Sequence, residues 1–254
     1  MSDAFNKATT IDAVIDRIHD GASIMIGGFL GVGAPLMMID KLVASGKRNL
    51  TLITTVCGYP GRGFDVSKLI ENDQVRKIIA SHTGTTPYVT ELYLAGKIEL
   101  EWFPQGTLAE KIRCAGGGLG GVLTPVGVGT LIEKGKQQIT LDGKTYLLET
   151  PLSADFALLN GFRADKMGNV EYRKTGITMN PIMATAADFV AFEVNEIVEV
   201  GEVDPALVRT PGIYVDAVVP GYTLSDRQKV FDELWTKGHK YEEARAGHDL
   251  LVHS

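Results

Sequence analysis

Asp20-Gly-Ala-Ser-Ile-Met-Ile-Gly-Gly-Phe-Leu-Gly-Val-Gly-Ala-Pro35 is an apolar run that breaks into glycines at 27, 28, 31 and 33 and then restarts as a helix. The pattern predicts a buried strand, a tight backbone loop and a helix start. Pro35 suits the first helical position, where a missing N–H removes nothing. Such a loop is expected to present bare N–H groups beside a helix N-terminus, a place that favours phosphate or carboxylate. The dinucleotide fingerprint does not fit, because Gly31-Val32-Gly33 is followed at the third position by Leu36 rather than glycine. Gly143-Lys144-Thr145 also fails as a phosphate-cradling loop, since Gln138 stands where its leading glycine should be. With Ile139-Thr140-Leu141 before it and Tyr146-Leu147-Leu148 after it, Asp142-Gly143 reads as the turn of a β-hairpin.

Outward from the glycine loop, strands and helices alternate. Thr9-Thr10 precedes Ile11, Val14, Ile15 and Ile18, a capped amphipathic helix that ends at Gly21 and leads into the strand Ile24-Met25-Ile26. Strands are predicted over Leu50 to Thr55, Val75 to Ala80, Leu100 to Phe103, Phe156 to Leu159 and Phe189 to Val194, with helices from Leu36, Pro87, Thr107 and Asn180-Pro181. This order implies an α/β fold, an open and mainly parallel sheet with helices on both faces, in a single domain. Ligands of such sheets gather beyond the carboxyl ends of the strands. Both the glycine loop and Pro104-Gln105-Gly106 fall at such ends. Gln105 is the strongest candidate side chain, two residues before Thr107, which is read as the N-cap of a capping box with Glu110.

Composition narrows the function classes. The 254 residues carry a net charge of −6, which argues against nucleic acid and against an anionic membrane surface. Gly21 to Ile39 approaches spanning length, but its five glycines and internal proline favour strand, loop and helix. Two cysteines, Cys57 and Cys114, and a start without basic-then-apolar order suggest a reducing cytoplasm. The five histidines show no metal spacing, and no metal is expected. His82 reads better as a packed or hydrogen-bonded loop residue than as a catalyst. Cys57 has no basic neighbour in sequence to activate it, and no Gly-x-Ser-x-Gly elbow exists.

Asp20 to Pro35 resembles the signature of the first subunit, or N-terminal half, of family I coenzyme A transferases. The likeness continues through Pro104-Gln105-Gly106-Thr107-Leu108-Ala109-Glu110-Lys111-Ile112-Arg113, the glycine loop Gly116 to Gly121, and Thr124-Pro125-Val126-Gly127-Val128-Gly129-Thr130, and ends near Val218-Val219. Members work through a glutamate in a Ser-Glu-Asn-Gly motif of the second subunit, and this sequence contains no Ser-Glu pair. The resemblance therefore implies an α subunit over residues 1–219, incomplete until a β subunit supplies the nucleophile, in an α2β2 assembly acting on acyl-CoA and short-chain carboxylates. It implies coenzyme A as the substrate thioester and Gln105 as a residue lining the acyl site. The segment Gly27, Gly28, Phe29, Leu30, Gly31, Val32 and Gly33 would bind coenzyme A, although the residues equally allow a loop that packs on the other subunit. Gly116, Gly117 and Gly118 could hug a pantetheine arm, form a hinge, or connect Cys114 to the next strand. Many members carry asparagine where Thr55-Val56-Cys57-Gly58-Tyr59 stands here, so a less polar acyl group than a 3-oxo acid is conceivable. Residues 220–254 read as a helical extension, with Ser225-x-x-Gln228 as a capping box and Val230, Phe231, Leu234 and Trp235 as an apolar face before Gly238, and a further helix after it. That extension would cover its own core or clasp the partner. A thioester hydrolase or ring-cleaving enzyme on the same scaffold, or a ligand-sensing module, are the alternative readings.

Overall fold

The computed structural model describes residues 5–59, 63–234 and 236. The first half alternates strand and helix: α1 (Ile11–Ile15), β1 (Ser23–Ile26), α2 (Leu36–Ser45), β2 (Leu50–Ile53), α3 (Ser67–Glu71), β3 (Val75–Ala80), α4 (Pro87–Leu94), β4 (Glu99–Trp102) and α5 (Gln105–Gly116). A small antiparallel sheet follows, built from β5 (Val122–Thr124), β6 (Gln138–Leu141) and β7 (Lys144–Glu149) in the order β5-β7-β6. Its hairpin turns at Asp142-Gly143 with φ of 51° and 76°, as two left-handed central residues of a tight turn require.

The chain then returns to the main sheet through β8 (Ala154–Asp165), β9 (Val170–Glu171), α6 (Asn180–Met183), β10 (Ala187–Val198), β11 (Val208–Thr210) and β12 (Ala217–Pro220). Its parallel body runs β12-β10-β8-β1-β2-β3-β4, and the antiparallel pair β9 and β11 extends from the far end of β8. β8 and β10 are longer than predicted because they pair with each other from Ala154↔Ala187 to Asp165↔Val198, well past the end of β1.

Strand residues alternate between two apolar layers, as a period of two dictates. Ile24, Ile26, Leu50, Leu52 and Leu158 meet α1 to α4 on one face, and Met25, Ile53, Ile79, Ala157 and Leu159 meet α5 and α6 on the other. Helices on both faces of a parallel sheet are the architecture the sequence implies. A helix over 224–234, α7, closes the described chain and packs Val230 and Phe231 on the first face. It therefore covers its own core. Its cap is Thr223, whose Oγ accepts from Asp226 N at 3.2 Å, two residues before the predicted Ser225 cap. The Trp235 side chain, Gly238, the helix predicted after it, and the tail histidines lie outside the described residues. Among the described residues no helix is long and apolar enough to cross a membrane.

Candidate functional site

Beyond β1 the backbone reverses on itself. Gly27 N donates to Leu158 O at 3.1 Å, and Phe29 and Val32 exchange hydrogen bonds of 2.9 and 3.0 Å around Leu30-Gly31. Pro35 sits at the N-cap of α2 rather than inside its first turn. The end of that helix is not bare. Glu193, reaching over from β10, accepts from Met38 N at 2.8 Å, and Arg227 of α7 donates to Ala34 O at 2.8 Å and Gly31 O at 3.3 Å. The place expected for an anion at this helix N-terminus is thus taken by the chain's own carboxyl group, from a residue 155 positions away. Burial pushes the Glu193 carboxyl up to about 7, against the opposing pull of the Met38 N–H and the Arg227 charge.

Asn180 fixes this loop from the other side. The residue is fully buried; its amide nitrogen donates to Gly33 O at 3.1 Å and Gly176 O at 3.2 Å, while its oxygen accepts from Asn160 N at 3.2 Å. A methyl group on Gly27 would stand 1.8 Å from the Asn180 oxygen, and one on Gly33 would stand 2.3 Å from Gly176 O. These glycines are required by close approach within the chain. Sequence reasoning saw Asn180 only as a helix cap. The part of its role that ties β8 to the glycine loop left no local signal, because those partners, Asn160 and Gly33, lie 20 and 147 residues away.

The neighbouring residue, Met179, serves the second site. Its sulfur accepts from the Gln105 amide nitrogen at 3.0 Å and from Thr55 Oγ at 3.3 Å. Consecutive residues Met179 and Asn180 therefore join the Gln105 end of β4 to the glycine loop after β1. Gln105 is exposed and is the first residue of α5, so its own N–H belongs to the unpaired set at that helix start. The predicted capping box is absent: Thr107 is buried inside the helix, and Glu110 binds Arg113 at 2.7 Å, which holds its carboxyl below the usual range. A thioether is a weak acceptor. Gln105 can therefore surrender that contact to a carbonyl or carboxylate oxygen at little cost.

Beside Gln105 a cavity of about 270 Å³ opens between Pro104, Gly106 and Thr107 of one strand-helix junction and Val122, Thr124 and Val126 of the small sheet. The structure thus brings the Pro104 to Arg113 and Thr124 to Thr130 motifs together. It does not bring Gly116, Gly117 and Gly118 there. They lie at the opposite end of α5, about 16 Å along its axis, where Gly116 meets the Thr185 hydroxyl.

The crevice offers no activated nucleophile among the described residues. Cys57 is buried, and burial together with the Asp65 charge pushes its thiol up to about 12. Asp65 is itself raised to about 7 by burial and is turned to the Ser67 N–H. His82 is exposed, and no group of three or more His, Cys, Asp or Glu is placed to hold a metal among the described residues. The cavity is also lined by the Glu110 carboxylate, which Arg113 holds at 2.7 Å; what remains is the Gln105 amide and main-chain donors, suited to stabilising oxygen charge rather than forming a bond.

Comparison with known proteins gives these donors a context. The sequence profile of the family described as Coenzyme A transferase matches residues 7–221. The chain is 46% identical over 213 residues to the alpha subunit of acetate CoA-transferase from Escherichia coli K12, covering 84% of this chain and 96% of that protein. It is 46% identical over 200 residues to the alpha subunit of acetoacetyl-CoA:acetate/butyrate CoA transferase from Clostridium acetobutylicum, covering 79% and 91%. Among solved structures, an acyl-CoA transferase apoenzyme of Escherichia coli O157:H7 superposes with a TM-score of 0.79 at 22% identity. That match covers 85% of this chain but only 47% of the other, so the chain spans about half that protein's length. Glutaconate coenzyme A-transferase of Acidaminococcus fermentans gives a TM-score of 0.75 at 22% identity, covering 85% and 76%.

Proposed function

The chain belongs to the coenzyme A transferase family as an α-type subunit, and we propose that it moves coenzyme A between a short-chain acyl-CoA and a free carboxylate once a β subunit has docked. Acetate, butyrate and acetoacetate are the acids proposed, in an α2β2 assembly in the cytoplasm. The observation that carries the reading is the exposed Gln105 amide, held at the start of α5 by a weak sulfur contact, beside a cavity whose carboxylate, Glu110, is taken up by Arg113.

The partner's glutamate attacks the thioester carbonyl, giving an acyl-glutamyl anhydride and coenzyme A thiolate. The thiolate then attacks the glutamyl carbonyl, releasing the donor acid and leaving a glutamyl thioester, and the acceptor carboxylate reverses the sequence. Each addition places negative charge on a carbonyl oxygen, and preorganised N–H donors in a dry crevice lower such barriers. Gln105 Nε2 donates to that oxygen or orients the acid. Coenzyme A is proposed to contact residues 27–33; their inward hydrogen bonding supports contact through the outer side chains Phe29 and Val32, which are exposed, rather than through the α2 end. Gly116, Gly117 and Gly118 remain proposed as a contact for the pantetheine arm on an assembled complex.

Co-expression with a β partner tests this reading by following label from acetyl-CoA to butyrate. Transfer that requires both chains supports it. Transfer to water instead of the second acid would make the complex a hydrolase.

A further inference from the structure

The parallel sheet reverses its order of growth between β1 and β8: β2, β3 and β4 are laid on one side of β1, and β8, β10 and β12 on the other. Crevices beyond the strand ends at such reversals are where open α/β sheets take ligands. Here α7 walls the crevice and leaves a cavity of about 350 Å³, lined by Gly33, Asn160, Arg173, Lys174, Arg227 and Phe231 among others. No Asp or Glu lines it among the described residues, although acids outnumber bases 31 to 25 in the chain.

Of the three cations, Arg173 and Lys174 are exposed, Arg173 lies over the Phe162 ring at 5.5 Å and Arg227 over the Phe231 ring at 5.8 Å. Arg173 and Lys174 stand in no ion pair among the described residues. Arg227 gives one terminal nitrogen to the carbonyls of Gly31 and Ala34, but its other, Nη1, is buried with no hydrogen-bond partner among the described residues. The acid that its charge reaches, Glu193, turns one oxygen to the Met38 N–H and leaves the other, Oε1, also buried without a hydrogen-bond partner among the described residues. A buried donor without an acceptor is costly, and an anion beside the guanidinium offsets its charge. Lys174, in the wall of the cavity, is strained as well, with φ of 50°. Strained backbone of this kind gathers at ligand clamps.

We propose that this cavity binds a small organic anion, a carboxylate or phosphate on a short apolar stem, countered by the charges of Arg173, Lys174 and Arg227. Its wall on the α7 side lies beyond residue 221, where the family match ends. An occupant would tie that helix to the glycine loop, because the same guanidinium holds both. The assignment goes beyond the transferase reading and is judged by binding alone, so either can fail without the other.

Calorimetric titration of the full chain, free of coenzyme A, with inorganic phosphate and with butyrate at constant ionic strength tests it. At least one probe should bind saturably at one per chain, and Arg173→Gln should weaken that binding about ten-fold or more without shifting the thermal midpoint of the unliganded protein. Binding of butyrate alone assigns a carboxylate, and binding of phosphate alone assigns a phosphate ester. No saturable binding of either probe, or unchanged affinity in both Arg173→Gln and Lys174→Gln, overturns the proposal.

Discussion

The two motifs at the carboxyl edge of the sheet are built in opposite ways. At the centre, the loop after β1 is locked: its carbonyls accept from Arg227 and Asn180, its helix end carries Glu193, and three of its glycines, Gly27, Gly31 and Gly33, meet other parts of the chain closer than a methyl group allows. At the edge, the start of α5 is loose: Gln105 is exposed and touches one soft acceptor, Met179. The contrast separates two uses of the same topological position. The centre holds backbone in place, and the edge keeps a donor available. Because Met179 and Asn180 are adjacent, rigidity at one site sets the position of the other.

The largest effect should come from filling the centre. Gly27→Ala forces a methyl group onto the Asn180 amide, and overpacking with the loss of buried hydrogen bonds should cost about 3 to 5 kcal/mol. Thermal denaturation should show a midpoint lower by roughly 10 °C; an unchanged midpoint would break the contrast at once. The buried carboxylate comes next. With its carboxyl raised to about 7, folded Glu193 keeps its proton where the unfolded group, with an ordinary value near 4.5, has lost it. Stability must therefore fall as pH rises from about 4.5 to 7, by on the order of 3 kcal/mol from this residue. In Glu193→Gln that share of the slope should vanish in urea titrations across the interval, whereas an undiminished slope would remove Glu193 from this role.

At the edge the effects should be kinetic. Gln105→Ala should reduce kcat of the assembled enzyme about a hundred-fold, as loss of one oxyanion donor does, while leaving the midpoint and the assembly intact. A large midpoint shift with normal turnover would reverse the assignment of the two sites. The smallest change is Met179→Leu, which keeps the packing but removes the sulfur acceptor. About three-fold slower turnover, equivalent to roughly 0.7 kcal/mol, would sharpen the link between the sites.

Much of the fold was legible because it rests on local signals. Thr10 accepts from Ala13 N as an N-cap at 3.2 Å, Pro87 opens α4, and β3 covers the predicted Val75 to Ala80. The apolar alternation of Ile24, Met25 and Ile26 divides between the two core layers. The misreadings come from competing partners, near ones at the start of α5 and a distant one at the glycine loop. Thr107 and Glu110 have the spacing of a capping box, but Pro104 starts the helix earlier and Arg113 takes the carboxylate. The glycine loop has the composition of an anion cradle, but Glu193 occupies the adjoining helix end from another strand. Of the candidate site, Gln105 was legible as a loop-to-helix residue after an edge strand. Met179 and Asn180 were not, since their meaning lies in contacts 74 and 147 residues away.

At the centre of the proposed chemistry stands a nucleophile that this chain lacks. Intact-mass spectrometry of the assembled complex, incubated with acyl-CoA and no acceptor acid, tests this most directly. A coenzyme A adduct confined to the partner chain is the predicted result. An adduct carried by this chain would contradict it.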